Sequence, residues 1–166
     1  MQVPGIPRNE AERIQVLREL LILDTDPEER FDVITVYCQS RFDCAIALVT
    51  LVDSDRQWFK SACGLNVRET PRDISFCGHV ILQDEVMVIN DTLQDPRFAD
   101  NPLVLGAPFI RFYAGAPLTL SSGHNVGTLC IIDPKPKRLA EEEVAHLEVL
   151  ARLVSLELEH HRCASN

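Results

Sequence analysis

Cys77 and His79 place a thiol and an imidazole two residues apart, the pair that a nucleophile and its general base would require. On a helix, however, positions i and i+2 point roughly 200° apart and cannot easily pair. The other reading of Cys77 is a small buried cysteine packed under a sheet. Metal binding by the same two residues lacks further ligands nearby in sequence for a closed tetrahedral site. Arg68, Arg72, Arg97 and Arg111 offer planar forks suited to carboxylates and phosphates, and all but three of the sixteen basic residues are arginine. Each also has an acidic neighbour, such as Glu69, Asp73, Asp95 or Asp100, with which it could simply pair. Trp58, Phe59, Phe76, Phe98, Phe109, Phe112 and Tyr113 lie in or beside the same stretches, as the lining of a roofed pocket or as plain core. The candidate ligand-binding set is therefore Trp58, Arg72, Ser75, Phe76, Cys77, His79, Asp91, Arg111 and Tyr113. Its polar groups favour a small anionic or zwitterionic molecule. No GxGxxG, Walker loop, GxSxG or HExxH is present.

These residues need elements to hold them. Asn9 reads as an N-cap, and Ile14, Leu17, Leu20 and Leu21 form the stripe of a first helix running to about Leu23. Asp26, Pro27 and Glu29 resemble a capping box opening a second helix, with Phe31, Ile34, Cys38 and Phe42 on one face. Cys44 to Val52 and Gln57 to Cys63 form a strand hairpin around the turn at 53–56. Gly64 to Asp73 is a long loop leaving the sheet, and Ser75 caps a short helix from Phe76 to Gln83. Val86 to Ile89 is a strand, followed by a Pro-punctuated stretch, Asp91 to Arg111, with a helical turn at Asp95 to Phe98. Phe112 to Leu120 and Val126 to Ile132 make a second hairpin.

The last helix, Glu141 to His161, carries Val144, Leu147, Ala151, Val154 and Leu158 at heptad spacing. A second apolar set, Val149, Leu150, Leu153 and Leu156, widens the stripe. Either the helix is buried wholly in its own domain, or one edge meets a second copy through the heptad set. With no long crossover helix between adjacent strands, the order of elements implies α+β, an antiparallel sheet with terminal helices on one face.

Length and charge restrict the function classes. The 166 residues suit one domain, 1–166, and the balance of 46% hydrophobic and 25% charged residues is that of an ordinary folded chain. A formal charge of −9 would repel nucleic acid and an anionic membrane surface. The N-terminus has neither a basic n-region nor an apolar h-region, which makes the cytoplasm the expected location and reduced thiols the expected state of Cys38, Cys44, Cys63, Cys77, Cys130 and Cys163. No CxxC pair points to zinc. The uncharged stretch Phe112 to Ile132 is broken by the polar turn 121–125, as a hairpin would be and a membrane helix would not.

Several strings together carry a resemblance. Pro27-Glu28-Glu29-Arg30-Phe31-Asp32, Asp55-Arg56-Gln57-Trp58-Phe59-Lys60-Ser61, Glu69-Thr70-Pro71-Arg72-Asp73-Ile74-Ser75-Phe76-Cys77, Asp95-Pro96-Arg97-Phe98 and Ile110-Arg111-Phe112-Tyr113-Ala114-Gly115-Ala116-Pro117-Leu118 resemble a GAF domain. More narrowly, they are similar to bacterial sensory GAF domains that precede diguanylate cyclase (GGDEF) or histidine kinase modules, over Pro7 to Arg162. The resemblance implies a PAS-related α+β fold with an antiparallel sheet of about six strands, terminal helices on one face and a loop-covered pocket on the other. It implies a regulatory protein that binds a small molecule or senses redox state, forms a homodimer and signals through its terminal helices. On this reading the chain is not an enzyme and carries no metal, and its ligand is unnamed. Bilin-binding relatives attach chromophore through a cysteine ahead of the strand at Phe112, where this chain reads Ala107-Pro108-Phe109-Ile110-Arg111, which argues against covalent bilin. The alternative is a free methionine-(R)-sulfoxide reductase, whose cysteine position Cys77 resembles. The essential thiol of those enzymes belongs after Asp91, where this chain has Asp95-Pro96-Arg97-Phe98-Ala99-Asp100. With the chain ending at Asn166, an output module is expected in trans or in a longer protein.

Overall fold

The computed structural model describes residues 1–165, with side chains through residue 160, so Cys163 and the Arg162 boundary lie outside the described side chains. Helices α1 (Glu10–Glu19) and α2 (Glu29–Arg41) lead into strands β1 (Ile46–Val52), β2 (Arg56–Cys63) and β3 (Glu69–Pro71). Short helix α3 (Cys77–Val80), strand β4 (Met87–Ile89) and short helix α4 (Pro102–Leu105) precede the hairpin of β5 (Phe112–Thr119) and β6 (Asn125–Asp133), and helix α5 (Glu141–Ser165) closes the chain. The strands form one antiparallel sheet in the order β3-β2-β1-β6-β5-β4. The α+β class expected from the sequence is the one observed.

Every residue of β1 is buried, because apolar groups cover both faces of the sheet centre. On one face α1, α2 and α5 bury Leu17, Phe31, Phe42, Leu147, Val154 and Leu158. On the other, α3, α4 and their loops bury Phe76, Val80, Phe98, Val104 and Ile110. Gly127 in β6 faces Leu51, and a Cβ there would collide with the Thr50 carbonyl. Gly127→Ala is expected to cost roughly 1–3 kcal/mol by forcing the central strands apart, read as a lower thermal midpoint.

Three local expectations are corrected. Helix α1 stops at Glu19, not near Leu23, because Leu21 turns into the left-handed region at φ 55°, and Asn9 makes no side-chain cap. The capping box at Asp26 does not form: α2 starts at Glu29 after an extended Glu28. Lys60, a fully buried cation, holds that linker outside the helix, donating to Thr25 Oγ1 at 2.8 Å and to the Asp26 carbonyl while pairing with Glu28 Oε2 at 2.7 Å. Lys60 reaches it because β2 bulges there: Ser61 opposes Val49, Phe59 opposes Thr50, and Lys60 is the extra residue. The stretch after Gly64 does not simply leave the sheet, since β3 pairs with β2 and Arg56 clamps it through Glu69 Oε1 at 3.0 Å.

Candidate functional site

A cavity of about 290 Å³ lies between the sheet and its loop-covered face. Its floor comes from Leu48 of β1, Gln57 and Phe59 of β2, Tyr113 of β5, and Cys130 and Ile132 of β6; Phe76, Cys77 and Leu103 roof it. The exposed Val67 and Ala107 mark its mouth. None of the described lining residues is charged. This lining does not suit the anionic or zwitterionic ligand expected from the sequence, since a charge there would be desolvated without a partner.

Phe76, Cys77 and Tyr113 all lie at the cavity wall. Ser75 Oγ accepts from the Gly78 N–H at 3.0 Å and donates to the Arg72 carbonyl at 2.6 Å, which fixes the start of α3 and leaves Ser75 a capping role. Phe76 stacks on Phe98 with centroids 4.3 Å apart. Cys77 Sγ lies 3.0 Å from Thr128 Oγ1 and 3.2 Å from Tyr113 Oη, and Thr128 Oγ1 is 2.9 Å from Thr50 Oγ1. The Tyr113 ring lies along its strand over Gly115, where a Cβ would collide with it. Burial, the largest influence, pushes the Tyr113 phenol well up, so the hydroxyl stays protonated as a donor.

The other candidates lie elsewhere. Trp58 points from β2 to the helix face, because neighbouring strand residues alternate and Gln57 and Phe59 take the pocket side. Arg72 reaches Glu10, with Nη1 to Oε1 at 2.6 Å, and the Asp53 carbonyl at 3.0 Å. Arg111 Nη1 donates to the Val104 carbonyl at 2.8 Å, tying α4 to the strand entry. His79 Nε2 bonds the Gln2 carbonyl at 3.1 Å, and burial lowers its pKa, keeping it neutral under the N-terminal strap. Asp91 caps the turn after β4 by accepting from the Leu93 N–H at 3.1 Å. All four are occupied by the backbone or by an ion pair, which local sequence does not reveal.

Sequence reasoning missed Gln57. It is 5% exposed, its Nε2 donates to Thr70 Oγ1 at 2.6 Å, and its buried Oε1 has no hydrogen-bond partner. With the amide reversed, Nε2 would be the unpartnered atom, so one end is open to a ligand in either assignment. Strand alternation around Trp58 was the available signal. The heptad set is also reassigned. Leu147, Ala151, Val154 and Leu158 are buried against the chain's own sheet, with Val144 half-buried beside them, because the face at that spacing covers the wide helix side of the core. Val149, Leu153 and Leu156 are the exposed large apolar residues among the described side chains of α5.

The sheet order, the helix layer and the loop-roofed cavity define a small α+β domain fold. The GAF domain family model matches residues 26–158, and the chain belongs to the GAF family. It is 46% identical over 155 residues to a cyclic di-GMP phosphodiesterase of Pseudomonas aeruginosa, a match covering 93% of this chain and 26% of that protein. The chain thus spans about a quarter of the length of that relative. The expectation that the chain is not an enzyme is corrected by this match, because the relative is itself named as an enzyme. Solved structures that share the fold include the following two. The GAF domain of a phosphoenolpyruvate-protein phosphotransferase from Coxiella burnetii is 19% identical with a TM-score of 0.69, covering 93% of this chain and 97% of that one. The free methionine-R-sulfoxide reductase of Neisseria meningitidis is 17% identical with a TM-score of 0.67, covering 99% of each chain. No helix among the described residues is long and apolar enough to cross a membrane.

Proposed function

We propose that this chain, as a single domain, is the sensing part of a cyclic di-GMP signalling system and gates its output by binding a small, uncharged, mainly apolar molecule through one hydrogen bond to Gln57. The 46% identity to a cyclic di-GMP phosphodiesterase supports that output. The unpartnered Gln57 Oε1 in an otherwise apolar cavity carries the ligand reading. A molecule with an apolar body and one N–H or O–H satisfies that oxygen and fills the space, and the gain exists only while the cavity is formed.

Occupancy is transmitted by α5, paired with the α5 of a second copy. Val149, Leu153 and Leu156 step by four and three residues on the face opposite Leu147, Ala151 and Val154. In a parallel pair, Arg152 and Glu157 flank that seam at positions facing one another across the two helices. The opposite charges favour this register. A ligand that favours one arrangement of the cavity wall then biases one arrangement of the helix pair. Of the first helix's stripe, Ile14, Leu17 and Leu20 are buried and only Leu21, just past the end of α1, is exposed, so the proposed seam rests on α5.

Indole and phenol serve as donor-bearing probes and toluene as the donor-free control. All three are expected to raise the thermal midpoint of the wild type. In Gln57→Leu the donor-bearing pair should weaken about tenfold while toluene is unchanged. No stabilisation of the wild type by any probe at millimolar concentration would refute the cavity as a binding site. Equal weakening of all three would refute Gln57 as the anchor.

A further inference from the structure

The cavity wall holds two thiols whose chemistry ligand binding does not use. Cys77, at the start of α3, and Cys130, in β6, both line the cavity: Cys77 Sγ meets Tyr113 Oη and Thr128 Oγ1, and the Tyr113 ring lies over Gly115, the strand partner of Cys130. We infer that Cys77 and Cys130 are a peroxide-reactive dithiol, with Cys77 the attacking sulfur and Cys130 the resolving one.

Three features of the site select this pair. Cys77 is 2% and Cys130 0% exposed, and the cavity they line, with its mouth at the exposed Val67 and Ala107, is the route by which a small oxidant would reach Cys77. The hydroxyls of Thr128 at 3.0 Å and Tyr113 at 3.2 Å can donate to the Cys77 sulfur, and neither can take its place as a nucleophile at neutral pH. The roles differ within the pair. Burial is the largest influence on both and opposes ionisation, but at Cys77 hydrogen bonds from Cys130, Thr128, Thr50 and Tyr113 outweigh it and bring the thiol below its ordinary value. At Cys130 burial prevails and the thiol is pushed up. Cys77 is therefore the more readily ionised of the two thiols. Cys38 and Cys44, on the helix side, are not among the residues lining this cavity and are pushed up by burial to about 12 and about 11, so they serve as internal controls.

The oxidant is hydrogen peroxide. The Cys77 thiolate attacks one peroxide oxygen, forming an S–O bond as the O–O bond breaks; the departing hydroxide takes up the proton released from the thiol and leaves as water. Cys130 sulfur then attacks the Cys77 sulfenic sulfur. The S–S bond forms, the S–O bond breaks, and hydroxide leaves with the Cys130 proton as a second water. Two electrons pass from the dithiol to one peroxide. Closure links α3 to the sheet across the cavity wall, so oxidation and ligand occupancy compete for one space.

The test treats the reduced full chain with hydrogen peroxide, alkylates remaining thiols and maps the peptides by mass spectrometry. Expected is a Cys77–Cys130 crosslinked peptide lighter by two hydrogen atoms, with Cys38 and Cys44 alkylated. Cys130→Ser should stop at a sulfenic acid on Cys77 trapped by dimedone, and Cys77→Ser should lose both products. The inference fails if Cys77 stays alkylatable after the more exposed Cys63 is oxidised. It also fails if Cys77 persists as sulfenic acid in the wild type, or if Cys77 bonds to a different cysteine. The wild-type map decides the matter even if a serine variant does not fold, and it does not depend on an organic ligand binding the cavity.

Discussion

Val154→Glu is expected to unfold the domain, whereas Leu153→Glu together with Leu156→Glu leaves it folded and separates the two copies. Val154 is 0% exposed between α5 and the sheet, so a glutamate there buries a carboxylate among the apolar residues of that core. An uncompensated buried charge costs roughly 3–5 kcal/mol, a large share of the roughly 5–15 kcal/mol that holds a domain together. Leu153 and Leu156 are 47% and 66% exposed on the opposite face. Charges there cost the isolated domain little but oppose one another across a paired seam. Trp58 is the single tryptophan and is buried against the helix layer, so its emission reports loss of the core directly. Light scattering reports the association. A Val154→Glu protein with native Trp58 emission would place that residue outside the core. A wild type that is monomeric at tens of micromolar would remove the pairing.

That contrast marks where the sequence is legible. The two hairpins, the helix order and the α+β class follow from periodicity and turn residues, because strand and helix periods differ and few chain paths connect the elements without crossing. What periodicity does not carry is which side of a two-sided element faces home. Helix α5 has two apolar faces about half a turn apart, and the more regular one packs on its own sheet because that face is the wider. The same ambiguity exchanged Trp58 for Gln57. Residue type favours the aromatic as a pocket wall, but alternation in β2 allows only one of the two neighbours to face the cavity. Arg72 and Arg111 were illegible for another reason. Their partners, Glu10 and the Val104 carbonyl, are set by tertiary packing, and nothing local to Arg72 announces a residue 62 positions away.

Arg72 carries the second large expected effect. Its guanidinium spans both Glu10 oxygens, at 2.6 and 3.2 Å, and reaches the Asp53 carbonyl, joining α1 to the β1–β2 turn and to the segment entering α3. Arg13, also buried, holds the same carboxylate at 2.9 and 3.0 Å and the Val52 carbonyl at 2.7 Å. Removing one partner of a buried pair leaves the others desolvated, so Arg72→Ala should cost about 3 kcal/mol in urea unfolding. The cost should shrink when Glu10→Ala is added, because the two changes share one network. Protonation provides an independent reading. Partial burial is the largest influence on Glu10 and opposes ionisation, but hydrogen bonds and charges from Arg72 and Arg13 outweigh it and take the carboxyl from 4.5 to about 2. A folded-state value below the unfolded one gives stability that is complete above pH 4.5 and drains away as the pH falls toward 2. Allowing for its partial exposure, the contribution is on the order of 2 kcal/mol. Glu10→Gln should therefore flatten the stability curve in that window and leave its slope at neutral pH unchanged. An Arg72→Ala protein within about 0.5 kcal/mol of wild type, or a Glu10→Gln protein with the wild-type acid limb, would show that this clamp does not hold the first helix to the sheet.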